Sequence, residues 1–149
     1  MAEDKTFAEI FLGREGRLNR WRFFKRSLVL GFLMAAISVT GDFFLSENWE
    51  PTISSKLFNA LVSLAFLFPT YCLNVRRLHD MNKTELLAKV NLVFGIFFSC
   101  MDFDFRSATL PYTILIFATA TISIGISLYM LVSPGTRGSN RYGNDPLQI

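Results

Sequence analysis

The sequence predicts an all-α membrane protein: a four-transmembrane-helix bundle with an amphipathic N-terminal interfacial segment. Of its 149 residues, 51% are hydrophobic and 15% aromatic, and the mean hydropathy is +0.34, which is more apolar surface than a soluble core of this size can hide. Apolar runs long enough to cross roughly 30 Å of hydrocarbon, about 20 residues each, alternate with short polar segments. Basic residues gather at the ends of these runs. All three observations indicate a bilayer as the solvent.

The apolar runs predict one membrane domain that comprises the whole chain, residues 1–149. The predicted spans are approximately residues 27–45, 57–75, 84–101 and 110–132. Pro69 removes a backbone donor inside the second span and is expected to kink it. The third span begins with Glu85 and Lys89, whose spacing permits an ion pair one helical turn apart.

The two ends of the chain are predicted to lie outside the hydrocarbon. In the N-terminal segment, residues 1–26, Phe7, Ile10 and Phe11 fall at helical spacing and predict a short amphipathic helix on the membrane surface. The tail, residues 133–149, is built from turn-forming residues without apolar periodicity. We expect it to be irregular and solvent-facing.

Lys and Arg are distributed unevenly over the polar segments. The N-terminal segment has seven, the connector after the second span has three and the tail has two, whereas the other two connectors have one each. By the positive-inside rule, both termini and the central connector are cytoplasmic. The sequence pI of about 9.1 then indicates anionic lipid headgroups as partners, and no nucleic acid, because the basic residues form no separate basic domain.

Three segments together resemble one known family. They are the glycine- and arginine-bearing stretch Gly13–Arg17, the run Arg76-Arg77-Leu78-His79-Asp80, and the tail motif Gly135-Thr136-x-Gly138-x-Asn140-Arg141-Tyr142-Gly143-x-Asp145-Pro146. Their order and spacing resemble the YhaH-like family of bacterial inner-membrane proteins, domain-of-unknown-function family 805, from about Phe11 to Pro146. The resemblance implies a small, multi-pass inner-membrane protein with four hydrophobic segments, and it implies no activity.

On this topology the three motifs face the cytoplasm, where their polar side chains can converge. The favoured interpretation is a structural clasp, in which Asp80 pairs with Arg17 or Arg141, and Asp145 with another arginine. Such a clasp would tie the tail and the N-terminal loop to the helix ends, as in a structural or interaction subunit with a membrane protein partner or a second copy. The candidate residues are Arg14, Arg17, Arg76, Arg77, His79, Asp80, Asn140, Arg141 and Asp145.

The same residues also suit an anion site. Guanidinium groups offer paired donors to phosphate, and Gly135, Gly138 and Gly143 would let backbone amides approach it closely. The ligand would be an anionic lipid or a phosphate-bearing metabolite. Binding of such a ligand is the alternative function.

Other function classes have weaker support. Asp42 inside the first span raises the hypothesis of a small oligomeric transporter or channel, but it lies near the outer interface without partners at the midplane. His79 and Asp80 are adjacent on a helix end and point in different directions, and no nucleophile motif is near, so no enzyme is expected. One histidine and two cysteines in separate apolar runs predict no metal site, cofactor or disulfide framework.

Overall fold

The structure, a computed structural model, describes residues 6–47, 50–100 and 109–147. Over these residues the chain forms five helices. They are α1 (Phe7–Phe11), α2 (Arg20–Leu45), α3 (Ile53–Asp80), α4 (Leu86–Cys100) and α5 (Leu110–Val132). The predicted helical class is confirmed. Three of the helices, α2, α3 and α5, are long and apolar enough to cross a membrane.

The fourth apolar helix, α4, is shorter than its predicted span. It contains 15 residues, about 22 Å of helix against a hydrocarbon thickness of roughly 30 Å. The predicted Glu85–Lys89 ion pair is present, with 3.4 Å between Lys89 Nζ and Glu85 Oε2. The predicted end of this span at residue 101 and the acidic segment after it lie outside the described residues.

Two helices extend beyond the apolar runs that predicted them. Because the Asn19 side chain accepts a hydrogen bond from the Arg22 amide at 2.8 Å, α2 begins seven residues earlier than the predicted span, within the basic and aromatic stretch. Helix α3 continues past its predicted end at residue 75 and through Asp80, so the run Arg76–Asp80 is helix and not connector. An apolar run predicts which part of a helix lies in lipid, whereas the capping residues determine where the helix begins and ends.

The bundle packs around α3, which contacts each of the other four helices. Gly41 of α2 lies against the ring of Phe58, and Gly95 of α4 lies against the side chain of Leu67, so each glycine lets its helix approach α3 closely. The buried core is concentrated at the end where α2 begins and where α3 and α5 end. We call this the basic end of the bundle.

Only one residue of α5, Met130, is buried, whereas α3 buries a dozen. Helix α5 is therefore held mainly at the basic end, and most of its length is exposed.

Candidate functional site

The last turn of α3 supplies the base of the site. The final carbonyls of a helix have no partner within it, and here the tail provides partners. The amide and the hydroxyl of Thr136 both donate to the Asp80 carbonyl, at 2.8 and 3.0 Å. The Asn140 side chain donates to the His79 carbonyl at 3.0 Å. The tail is irregular and largely exposed, as predicted, and one side of it also caps α3.

The carboxylate of Asp80 lies at the centre. Its Oδ1 accepts from Arg17 Nε at 3.1 Å, and its Oδ2 accepts from Arg77 Nη1 at 2.6 Å. All three residues are buried, with 8% of Arg17, 0% of Arg77 and 3% of Asp80 exposed. Two buried cations thus share one buried anion, and burial of this kind requires the remaining donors to be satisfied.

Backbone carbonyls satisfy those donors. Arg17 donates to the carbonyls of Thr136 and Gly138, both at 2.5 Å, and Arg77 donates to the carbonyls of Met130, at 2.7 Å, and Ser133. We call this network the clasp: Arg17, Arg77 and Asp80, with the α5 end and tail segment 130–140 that they bind. It joins the N-terminal loop, α3, α5 and the tail at one point.

The tail glycines serve the clasp in a different way from the one predicted. Gly138 and Gly143 have φ of 73° and 128°, values that favour glycine, and their carbonyls point at Arg17. Gly135 packs directly against Asp80, where an added Cβ would lie 2.1 Å from Oδ2. The carbonyls of Gly138 and Gly143 therefore converge on an arginine, while the amide of Gly138 donates to the carboxylate of Asp145.

The carboxylate of Asp145 binds backbone amides of the tail and does not form the direct pair with an arginine that was predicted. It accepts hydrogen bonds from the amides of Gly138 and Leu147, both at 3.0 Å. These bonds, with the more distant charge of Arg17, lower the pKa of Asp145 below its usual range. The carboxylate is ionised at neutral pH and fixes the turn that carries Gly138.

A cleft of about 1260 Å³ opens beside the clasp. It lies between α1, the loop Gly13–Gly16, the last turns of α3 and the tail. We call it the arginine cleft, after the three arginines in its wall. They are Arg14, Arg76 and Arg141. Arg141 donates to the Asn82 carbonyl at 3.3 Å and does not bind Asp80, which was the alternative pairing predicted from the sequence.

His79 faces this cleft and is directed away from the neighbouring carboxylate. Its ring stacks on Tyr142 with 3.8 Å between centroids, and its Nε2 lies 4.0 Å from Glu85 Oε1. Asp80 is engaged with arginines. The carboxylate therefore does not orient the imidazole, in keeping with the prediction that these side chains diverge.

The structure thus divides the predicted residues into two groups. The clasp contains Arg17, Arg77, Asp80 and Asn140, with Asp145 supporting it, and the cleft contains Arg14, Arg76, His79 and Arg141. Sequence reasoning missed Thr136 and Tyr142, although both stand in the tail motif. Asp42 lies apart from both groups, where it accepts a hydrogen bond from Asn59 Nδ2 at 2.7 Å.

The regular elements of the described residues are helices, three of them long and apolar enough to span a membrane, and a polar clasp lies at one end of the bundle. This architecture is that of a small helical membrane protein. Within that class, the chain belongs to the DUF805 family of proteins of unknown function, whose profile matches residues 11–144. This range includes Gly13–Arg17, Arg76–Asp80 and the tail motif up to Asn144. No curated protein and no solved structure matches the chain.

Proposed function

We propose that this protein is an interaction subunit of the bacterial inner membrane, with four spans and both termini in the cytoplasm. The orientation is supported by the basic end, which gathers the N-terminal segment, the α3–α4 connector and the tail, and so carries most of the Lys and Arg.

Reporter fusions test the orientation. Green fluorescent protein fused after Leu147 should fluoresce and alkaline phosphatase at the same place should be inactive, because the tail is cytoplasmic. Alkaline phosphatase fused after Glu50 should be active. Active phosphatase at the tail together with inactive phosphatase at Glu50 would show that the orientation is the opposite of the proposed one. Active phosphatase at both positions would show that one of the proposed spans does not cross the membrane.

The observation that carries the interaction function is the exposure of α5 along a stripe of helical spacing. The stripe contains Ile114, Ala118, Thr121, Gly125, Leu128 and Val132, all exposed. The residues at the centre of the stripe have small side chains, and a Cβ added at Gly125 would meet nothing within 4 Å. Helices associate in lipid through small residues that let backbones approach, since the hydrophobic effect does not drive them together there.

The clasp makes this exposure useful. Arg77 binds the carbonyls of Met130 and Ser133 and so fixes the basic end of α5. The rest of the helix is left to meet a helix of a partner, either another membrane protein or a second copy. The protein thus acts as a rigid adaptor whose cytoplasmic end is preformed and whose contact lies within the bilayer.

Gly125→Leu tests this proposal, with Gly31→Leu as the matched control. Both glycines lie on exposed helix surface, and a Cβ added at either would meet nothing within 4 Å. Energy transfer between labelled copies in native-composition nanodiscs, and co-purification of a second membrane protein, report association. A leucine inserted into a close helix contact overpacks it, which costs about 1–3 kcal/mol and lowers association about 5- to 150-fold.

We expect that loss in Gly125→Leu and not in Gly31→Leu. Equal association of wild type and both variants would contradict the α5 contact, and a wild type that is monomeric and without partner would contradict the interaction function.

A further inference from the structure

The arginine cleft contains a buried cation that no carboxylate of the described residues neutralises. Only 6% of Arg76 is exposed. Its Nη1 donates to the carbonyls of Ile10, at 3.1 Å, and Glu9, at 3.4 Å, while its Nε is buried without any hydrogen-bond partner. A buried guanidinium with an unused donor is unfavourable by itself, because desolvation removes water and nothing replaces it.

The contrast with Arg77, the next residue, is informative. Arg77 is buried as well, yet it binds Asp80 and three carbonyls. The two side chains differ by 100° around the helix, so one enters the clasp and the other enters the cleft. The described residues satisfy Arg77 internally and leave the Nε donor of Arg76 without a partner.

The other groups in the cleft add to the positive character near Arg76. Arg14 and Arg141 are exposed, and neither forms an ion pair with a carboxylate in the described part of the chain. Arg141 is held in place over the Tyr142 ring at 4.6 Å. His79 also lines the cleft, with its ring stacked on Tyr142.

Two of the three carboxylates that line the cleft already have hydrogen-bond or ion-pair partners within the chain. Glu9 accepts from the Thr6 amide at 2.8 Å as the cap of α1. Glu85 accepts from the Tyr71 hydroxyl at 3.0 Å and pairs with Lys89. Glu15, the third, is exposed.

We propose that the arginine cleft binds a phosphate group, with Arg76 at its base and Arg14 and Arg141 at its mouth. A phosphate presents several acceptor oxygens in different directions, which suits guanidinium groups that approach from α3, the N-terminal loop and the tail. The phosphate belongs either to an anionic lipid headgroup or to a soluble phosphorylated metabolite. This site is independent of the α5 contact.

The soluble arm of the test is calorimetric titration of inorganic phosphate into the full chain in a non-ionic detergent. The lipid arm is nanodiscs of mixed phosphatidylglycerol and phosphatidylcholine, with mass-spectrometric measurement of the lipids retained after detergent exchange. Saturable phosphate binding without lipid selection assigns a soluble ligand. Selective retention of phosphatidylglycerol assigns a headgroup.

Arg76→Gln should weaken whichever binding is observed about 10- to 100-fold, since a hydrogen bond to a charged group contributes about 1.5–3 kcal/mol. Arg137→Gln is the control, because Arg137 is an exposed arginine of the same tail that does not line the cleft. Since Arg76 also holds the carbonyls of α1, a second variant, Arg14→Gln with Arg141→Gln, removes two exposed cations and leaves the contacts between Arg76 and α1 in place.

We expect both cleft variants to lose binding and Arg137→Gln to keep it. The proposal is overturned if wild type binds neither inorganic phosphate nor phosphatidylglycerol selectively. It is equally overturned if the Arg14/Arg141 double variant binds as wild type does, or if Arg137→Gln loses as much as either.

Discussion

Asp80→Ala is expected to destabilise the protein by about 3–5 kcal/mol, the usual result of removing one partner from a buried ion pair. Asp80 is 3% exposed and is the carboxylate that Arg17 and Arg77 share. Its loss leaves two buried cations with carbonyl partners alone. The thermal unfolding midpoint in detergent should fall by about 10 °C or more.

Asp80→Asn, which keeps the shape and loses the charge, should have a smaller effect in the same direction. Glu50→Ala is the control, because it removes an exposed carboxylate, and surface substitutions usually change stability by less than about 0.5 kcal/mol. If Asp80→Ala and Glu50→Ala had equal midpoints, the clasp would contribute nothing to stability.

Gly135→Ala is expected to release the tail from the end of α3. The added Cβ would lie 2.1 Å from Oδ2 and 2.8 Å from Cγ of Asp80, so either the tail or the carboxylate must move. Both are fixed by the clasp, and overpacking of this kind costs about 1–3 kcal/mol. Hydrogen exchange at the Thr136 and Gly138 amides should accelerate, because these amides donate to Asp80 and Asp145.

Gly31→Ala is the matched control, since a Cβ there meets nothing within 4 Å and alanine favours a helix over glycine. Unchanged exchange at Thr136 in Gly135→Ala, with an unfolding midpoint equal to that of Gly31→Ala, would show that the tail does not depend on contact with Asp80.

The sequence was informative wherever structure is local. Apolar length predicted α5 to its observed ends, and i,i+4 spacing predicted the Glu85–Lys89 pair. Helix caps moved other boundaries: Asn19 starts α2 within a stretch that composition assigned to the interface. Apolar composition predicts which residues contact lipid, and the helices extend beyond those residues.

The sequence was enough to locate the candidate site but not to predict which of its side chains bind each other. Motif order and charge brought the right segments to one end of the bundle, yet Arg17 and Asp80 are separated by 63 positions in the chain. The main acceptors of Arg17 in the tail are backbone carbonyls, which have no residue signature. Nor does any pattern distinguish Arg76 from Arg77. Their different roles follow from which side of α3 the tail and the N-terminal loop pack against.

Native mass spectrometry of the protein released gently from its own membrane tests the interaction function most directly, since it records subunit composition. Wild type is predicted to appear as a complex, with a second copy or with another membrane protein, and Gly125→Leu as a monomer. Wild type that appears only as a monomer, under conditions that preserve a known membrane complex from the same preparation, would contradict the account.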